Sequence, residues 1–161
     1  MSYAEGTSVS PEKTRLDLDK LLQRHGADQR VTGVDDSIGA FCMFRIDGRH
    51  VRLRVPIPTL EQCWPAKGKE PRGWHMWHRD AGQRQWVERR RDQYERERWR
   101  ALLLLVKAKL EYVALGLSTI EREFLADVVL PNGRNVHDEL AADIQAAYLD
   151  GKMPKLLGMG P

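Results

Sequence analysis

The chain has 161 residues, 42% apolar and 30% charged, with two cysteines and a net charge of +3. This length suits one domain with its own core, and two cysteines are too few for a framework of disulfides, so a reducing compartment is expected. The small positive charge permits an anionic partner without requiring one, and how it is distributed matters more than the total.

Residues 1–10 are small and polar and are expected to form a flexible tail. Ser10 followed by Pro11 is an N-cap and first-turn pair that opens a helix. Leu16, Leu18, Leu21 and Leu22 give that helix an apolar stripe, and Gly26 suits its left-handed end. Met1 to Pro11 has no basic segment followed by an apolar one, so no secretory leader is expected and the predicted location is the cytoplasm.

From Gln29 to Val55 the apolar period changes to two, which predicts three short strands. Asp47-Gly48 between two alternating runs predicts a two-residue type I′ turn. That turn sets a register of Ile46 with Arg49, Phe44 with Val51, Cys42 with Leu53 and Ala40 with Val55. One hairpin face is then apolar. The other carries Phe41, Met43, Arg45, His50, Arg52 and Arg54, which suits single-stranded nucleic acid: arginines meet phosphates while an aromatic ring stacks on a base. The structural alternative is that Phe41 and Met43 pack under a helix while the arginines reach past them to water.

Prolines 56, 58, 65 and 71 and glycines 68, 73 and 82 make residues 56–83 a long irregular connection, partly mobile by expectation. It holds Trp64, Trp74 and Trp77, candidate anchors for a partner protein, since exposed tryptophan is a common hot spot. The alternative is an internal aromatic plug. His75 and His78 form an H-x-x-H pair that Cys63 or Asp80 would have to complete; two ligands do not make a metal site.

Between about Gln83 and Leu115 there is no proline or glycine, which predicts one helix about 50 Å long, stopped by Gly116. Its first half is arginine-rich, and Arg89, Arg90 and Arg91 are added to the nucleic-acid candidates. Interleaved Glu88, Asp92, Glu95 and Glu97 favour instead a salt-bridged, solvated helix. This half is expected to project from the core or to lie along a partner. Its apolar stretch, Ala101 to Leu117, is interrupted by Lys107, Lys109 and Glu111, so it is not expected to span a membrane. A helix of this kind can pair with a second copy, and a homo-oligomer is expected.

Ser118 with Glu121 resembles a capping box for a short helix. Pro131-Asn132-Gly133 marks a turn, and Asn135 caps a last helix closed by Gly151, with Asp138 and Glu139 complementing its dipole. The predicted class is therefore α+β: an N-terminal helix, a small antiparallel meander, a long central helix and short C-terminal helices. These make one domain over residues 11–157, followed by a tail at 158–161. No nucleophile elbow, phosphate loop, dinucleotide fingerprint, H-E-x-x-H or paired C-x-x-C occurs in the sequence. No catalytic residue, cofactor or metal is predicted, and a nuclease using His75, His78 and Asp80 would need a bound metal.

Leu102 to Val136 reads LLLLVKAKLEYVALGLSTIEREFLADVVLPNGRNV, and the hairpin before it reads FRIDGRHVRLRVPIP. On these stretches the chain resembles a family of small proteins encoded by tailed bacteriophages and prophages, over about Lys13 to Leu157. The resemblance implies a bacterial cytoplasm during infection and transfers no activity or site residue. In element order, a sheet followed by a long helix, the chain is also similar to phage single-strand annealing proteins. Likeness of fold does not by itself establish function. The leading expectation is a phage nucleic-acid-binding protein serving recombination or replication; the second is a protein that inhibits or redirects a host factor through the tryptophan-rich loop and the long helix.

Overall fold

The computed structural model describes residues 4–35 and 39–151. Helix α1 spans Pro11–Arg24 and is capped by Ser10, whose Oγ accepts from the Lys13 amide at 3.2 Å. Its buried stripe is Thr14, Leu18, Leu21 and Leu22, whereas Leu16, expected on that stripe, is half exposed. Thr14 takes the inward place because its hydroxyl is satisfied locally, donating to the Ser10 carbonyl at 3.1 Å.

Strands β1 (Asp28–Asp35), β2 (Gly39–Ile46) and β3 (Arg49–Val55) form an antiparallel sheet in the order β1-β2-β3. The β2–β3 register is the one the sequence predicts, from Ile46 opposite Arg49 to Ala40 opposite Val55. Asp47 and Gly48 both take positive φ, 48° and 74°, which is what a type I′ turn demands and what these residue types tolerate. Alternate residues Cys42, Phe44, Val51 and Leu53 then point to one side.

Helix α2 runs from Arg84 to Ala114, about 46 Å long. It ends in a Schellman arrangement: the Gly116 amide donates to Val113 O at 2.9 Å and the Leu117 amide to Tyr112 O at 3.2 Å. Trp99, Leu102, Leu103, Val106 and Leu110 pack with α1 and the inner sheet face into the main core. Helix α3 (Ile120–Phe124) closes its end, and the Phe124 ring stands edge-on to Phe44 at 5.7 Å. The cap of α3 is Thr119, not Ser118: its hydroxyl accepts from the Arg122 amide, so the third helical position is arginine and no reciprocal capping box forms.

Helix α4 spans Val136–Asp150. Asn135 occupies its N-cap position but makes no side-chain cap; its amide instead donates to the Arg52 carbonyl at 2.9 Å, tying α4 to β3. The segment between α3 and α4 does more than turn. Val129 N donates to His50 O at 2.8 Å, Val136 N to Val128 O at 3.0 Å and Leu130 N to Arg134 O at 2.8 Å, so a small hairpin lies along the open edge of β3. Exposed strand edges invite further pairing, and this one is covered.

Two expectations are corrected by packing. Residues 4–7, expected as free tail, contact α2: Ala4 is buried, the Gly6 amide donates to Glu97 Oε1 at 2.9 Å and Gln93 Nε2 to Thr7 O at 3.2 Å. Residues 56–83 are not structureless. Short turns at Glu61–Cys63 and Trp74–Met76 and a π-helical turn at Arg79–Gln83 fold the segment against the first turns of α2. Cys63, Trp74 and Val87 are buried there, with Trp64, Trp77, Trp86 and Tyr94 packed round them. The arginine-rich half of α2 therefore lies on a second, smaller core, because Val87 and Trp86 put apolar surface among its charges. The predicted tail at 158–161 lies outside the described residues.

Candidate nucleic-acid interface

The outer sheet face carries the side chains expected there, but its arginines are already engaged. Arg45 donates from Nε and Nη2 to the two Asp28 oxygens at 2.7 and 2.6 Å, a bidentate fork. The hydrogen bonds from Arg45 hold the Asp28 carboxyl below its ordinary range, and the same bonds raise the guanidinium. Arg54 donates to Asp138 Oδ2 at 2.6 Å, and Arg52 Nη2 to the Gly133 carbonyl at 2.8 Å. His50 is exposed, and its carbonyl is taken by Val129. Phe41 lies across Gly33, where an added Cβ would meet the ring at 3.3 Å and push it back by a few tenths of an ångström. Phe41, Arg45, Arg52 and Arg54 thus share one face on which Arg45 and Arg54 are neutralised by carboxylates and Arg52 is held by a carbonyl.

The three consecutive arginines of α2 point three ways, as the 100° step of a helix requires. Arg90 stacks over Trp86 and Tyr94, at 5.0 and 5.4 Å from the ring centroids, and donates to Tyr94 Oη at 3.0 Å. Arg91 pairs with Glu95 at 3.7 Å. Arg89 is exposed and forms no ion pair among the described residues. Two further arginines of the same basic stretch, not counted among the binding candidates, stand in line with it. Arg96 and Arg100, seven and eleven positions on, share its helical face at axial steps of about 10 and 6 Å. Neither is ion-paired among the described residues; Arg96 donates from Nη1 to Gln93 Oε1 at 3.3 Å. Glu97, on the neighbouring face, is occupied by the Gly6 amide and Gln93. The signal available in the sequence was the 7- and 4-residue spacing, hidden by the more conspicuous Arg89-Arg90-Arg91 run.

The tryptophans expected as partner anchors face one another. Trp74, only 8% exposed, has its ring centroid 5.6 Å from Trp64, 5.8 Å from Trp77 and 5.5 Å from Trp86, all edge-on. Edge-to-face geometry satisfies the ring quadrupoles and makes an internal plug. Trp64 also carries Arg79 over its face at 5.6 Å. Among the described residues no group of three His, Cys, Asp or Glu side chains is placed to hold a metal ion. His75 and His78 are exposed, and the side chain of Asp80 lies outside the described residues. Burial pushes the Cys42 thiol up to about 12, with Asp19 adding to it, and burial also raises Cys63, so neither offers a ready thiolate.

Compared with known proteins, the chain matches no family model, no curated protein and no solved structure. No described helix is long and apolar enough to cross a membrane.

Proposed function

We propose that this is a nucleic-acid-binding protein whose contact with the phosphate backbone is made by Arg89, Arg96 and Arg100 of α2. The observation that carries the reading is the contrast in charge compensation. On the hairpin Arg45 and Arg54 are ion-paired and Arg52 is bonded to a carbonyl, whereas the three arginines on one rigid helix, α2, have no ion-pair partner among the described residues. Guanidinium forks suit phosphate oxygens, and a helix holds them in fixed register. The hairpin face contributes Phe41 and His50 at its margin. On this reading the ligand is single-stranded DNA or RNA, and the setting is phage recombination or replication in the bacterial cytoplasm implied by the resemblance of residues 102–136.

The test is fluorescence anisotropy with labelled single-stranded DNA, RNA and duplex DNA at two salt concentrations. Three neutralised phosphates on a single strand give a slope near −2 in log affinity against log salt, or a loss of about 20-fold for a fourfold rise in salt. Arg96→Ala should lower that slope by about 0.7, while Arg45→Ala should leave it unchanged. No binding to any of the three ligands, or an Arg45→Ala defect as large as that of Arg96→Ala, would overturn the proposal.

A further inference from the structure

The second half of α2 is apolar on two opposite sides. Leu102, Leu103, Val106 and Leu110 face the core. On the opposite side Ala101, Leu104, Ala108, Tyr112 and Leu115 follow a spacing of 3, 4, 4 and 3 residues, the pattern of a helix-pairing seam. Leu105 stands beside them. Ala101 and Ala108 are exposed, and Leu105, Tyr112 and Leu115 are 47%, 47% and 72% exposed. A helix apolar on both sides ordinarily has both covered.

We propose that this outward face of α2 is the interface of an antiparallel homodimer with its twofold axis at Ala108. The argument is self-complementarity, which an isologous interface requires: if residue i meets j, then j meets i. Reversal about Ala108 sets Ala101 against the partner's Leu115, Leu104 against the partner's Tyr112 and Ala108 against itself. Each large side chain thus meets a small one or a ring it can flank, and the closest approach falls on alanine. The charges obey the same symmetry. Lys107 and Glu111 lie on one flank of the seam, and neither is ion-paired among the described residues. Within one helix they stand in the less favourable order for an i, i+4 pair. Across the twofold axis, Lys107 comes level with the partner's Glu111 to within about 3 Å of helix rise. The interface would therefore hold two symmetric ion pairs on one side and Leu105 against Tyr112 on the other. Lys109, the remaining cation of this stretch, is turned inward: it donates to the Glu123 carbonyl and lies over the Phe124 ring. None of these residues belongs to the Arg89, Arg96 and Arg100 line, so the dimer stands or falls independently of nucleic-acid binding.

Sedimentation velocity across a wide concentration range tests the state, and two variants test the register. The wild type is expected to dimerise, and Ala108→Glu, which sets two carboxylates on the axis of an otherwise solvent-facing site, is expected to weaken the dimer at least tenfold. Lys107→Glu should also weaken it, and adding Glu111→Lys should restore it. Helices packed 8–10 Å apart, with Cα atoms on a radius of about 2.3 Å, bring the two Cα atoms of position 108 to about 3.5–5.5 Å, which overlaps disulfide reach. Ala108→Cys should therefore cross-link on mild oxidation under native conditions, a readout that does not depend on the glutamate variant folding. A wild type monomeric at every concentration, a dimer indifferent to Ala108→Glu, failure of the charge swap to restore pairing, or absence of the cross-link would overturn the proposal.

Discussion

Replacing Trp74 by alanine should open the tryptophan plug while leaving the main core closed. Trp74 is the one tryptophan that touches all three others of the plug, at centroid distances of 5.6, 5.8 and 5.5 Å. Each such pair contributes about 0.5–1.5 kcal/mol beyond the area it buries, and a buried tryptophan truncated to alanine typically costs about 3–5 kcal/mol. The smaller core is built on just three buried residues, Cys63, Trp74 and Val87. A loss of about 3 kcal/mol therefore falls on a unit with little else to hold it, and local opening rises by roughly a hundredfold. Hydrogen exchange would read this directly. The amides of Cys63, Trp64, Met76, Trp77 and Gln83 are bonded within the segment and should lose protection, while those of β2 and β3 should change little. Acrylamide should then quench Trp64, Trp77 and Trp86, whereas Trp99, 1% exposed in the main core, stays shielded. Parallel loss of protection in the sheet would show that the two cores are one cooperative unit and refute the reasoning, as would unchanged protection in residues 56–83.

The cysteines report on the same division: both thiols should resist alkylation in the native protein at neutral pH, and Trp74→Ala should expose Cys63 without exposing Cys42. The Cys42 thiol is raised to about 12 by burial, so its stabilising effect is complete below the ordinary thiol range and is lost as pH rises from there through the folded value. Urea denaturation should thus show a steeper alkaline loss of stability for the wild type than for Cys42→Ala, whatever their stabilities at neutral pH. Asp127 is raised by burial, more than Lys109 and His137 lower it. Its favourable protonated form is present below the ordinary carboxylate range and is lost as pH rises, so Asp127→Asn should raise the melting temperature at neutral pH and have less effect in acid.

Short-range geometry accounts for the elements that were legible before any fold was known. Ser10-Pro11 started α1, and Asp47-Gly48 enforced a turn that sets the register of every residue from Ala40 to Val55, because a two-residue loop permits one alignment. The absence of proline and glycine allowed α2 to run unbroken. Pro131-Asn132-Gly133 marked a turn, but nothing near it said that Val128 and Val129 would pair with the edge of β3. Tertiary structure decided which charges are spent. Arg54 meets Asp138 and Arg52 meets the Gly133 carbonyl across 84 and 81 positions of sequence. No periodicity reports such pairs, because a salt bridge depends on where two elements come to rest. Folding likewise turned a proline-rich connection into an aromatic plug, since four tryptophans satisfy one another's edges only when the loop and α2 meet. It also left Arg89, Arg96 and Arg100 without ion-pair partners among the described residues, which is why the candidate interface moves from the sheet to the helix.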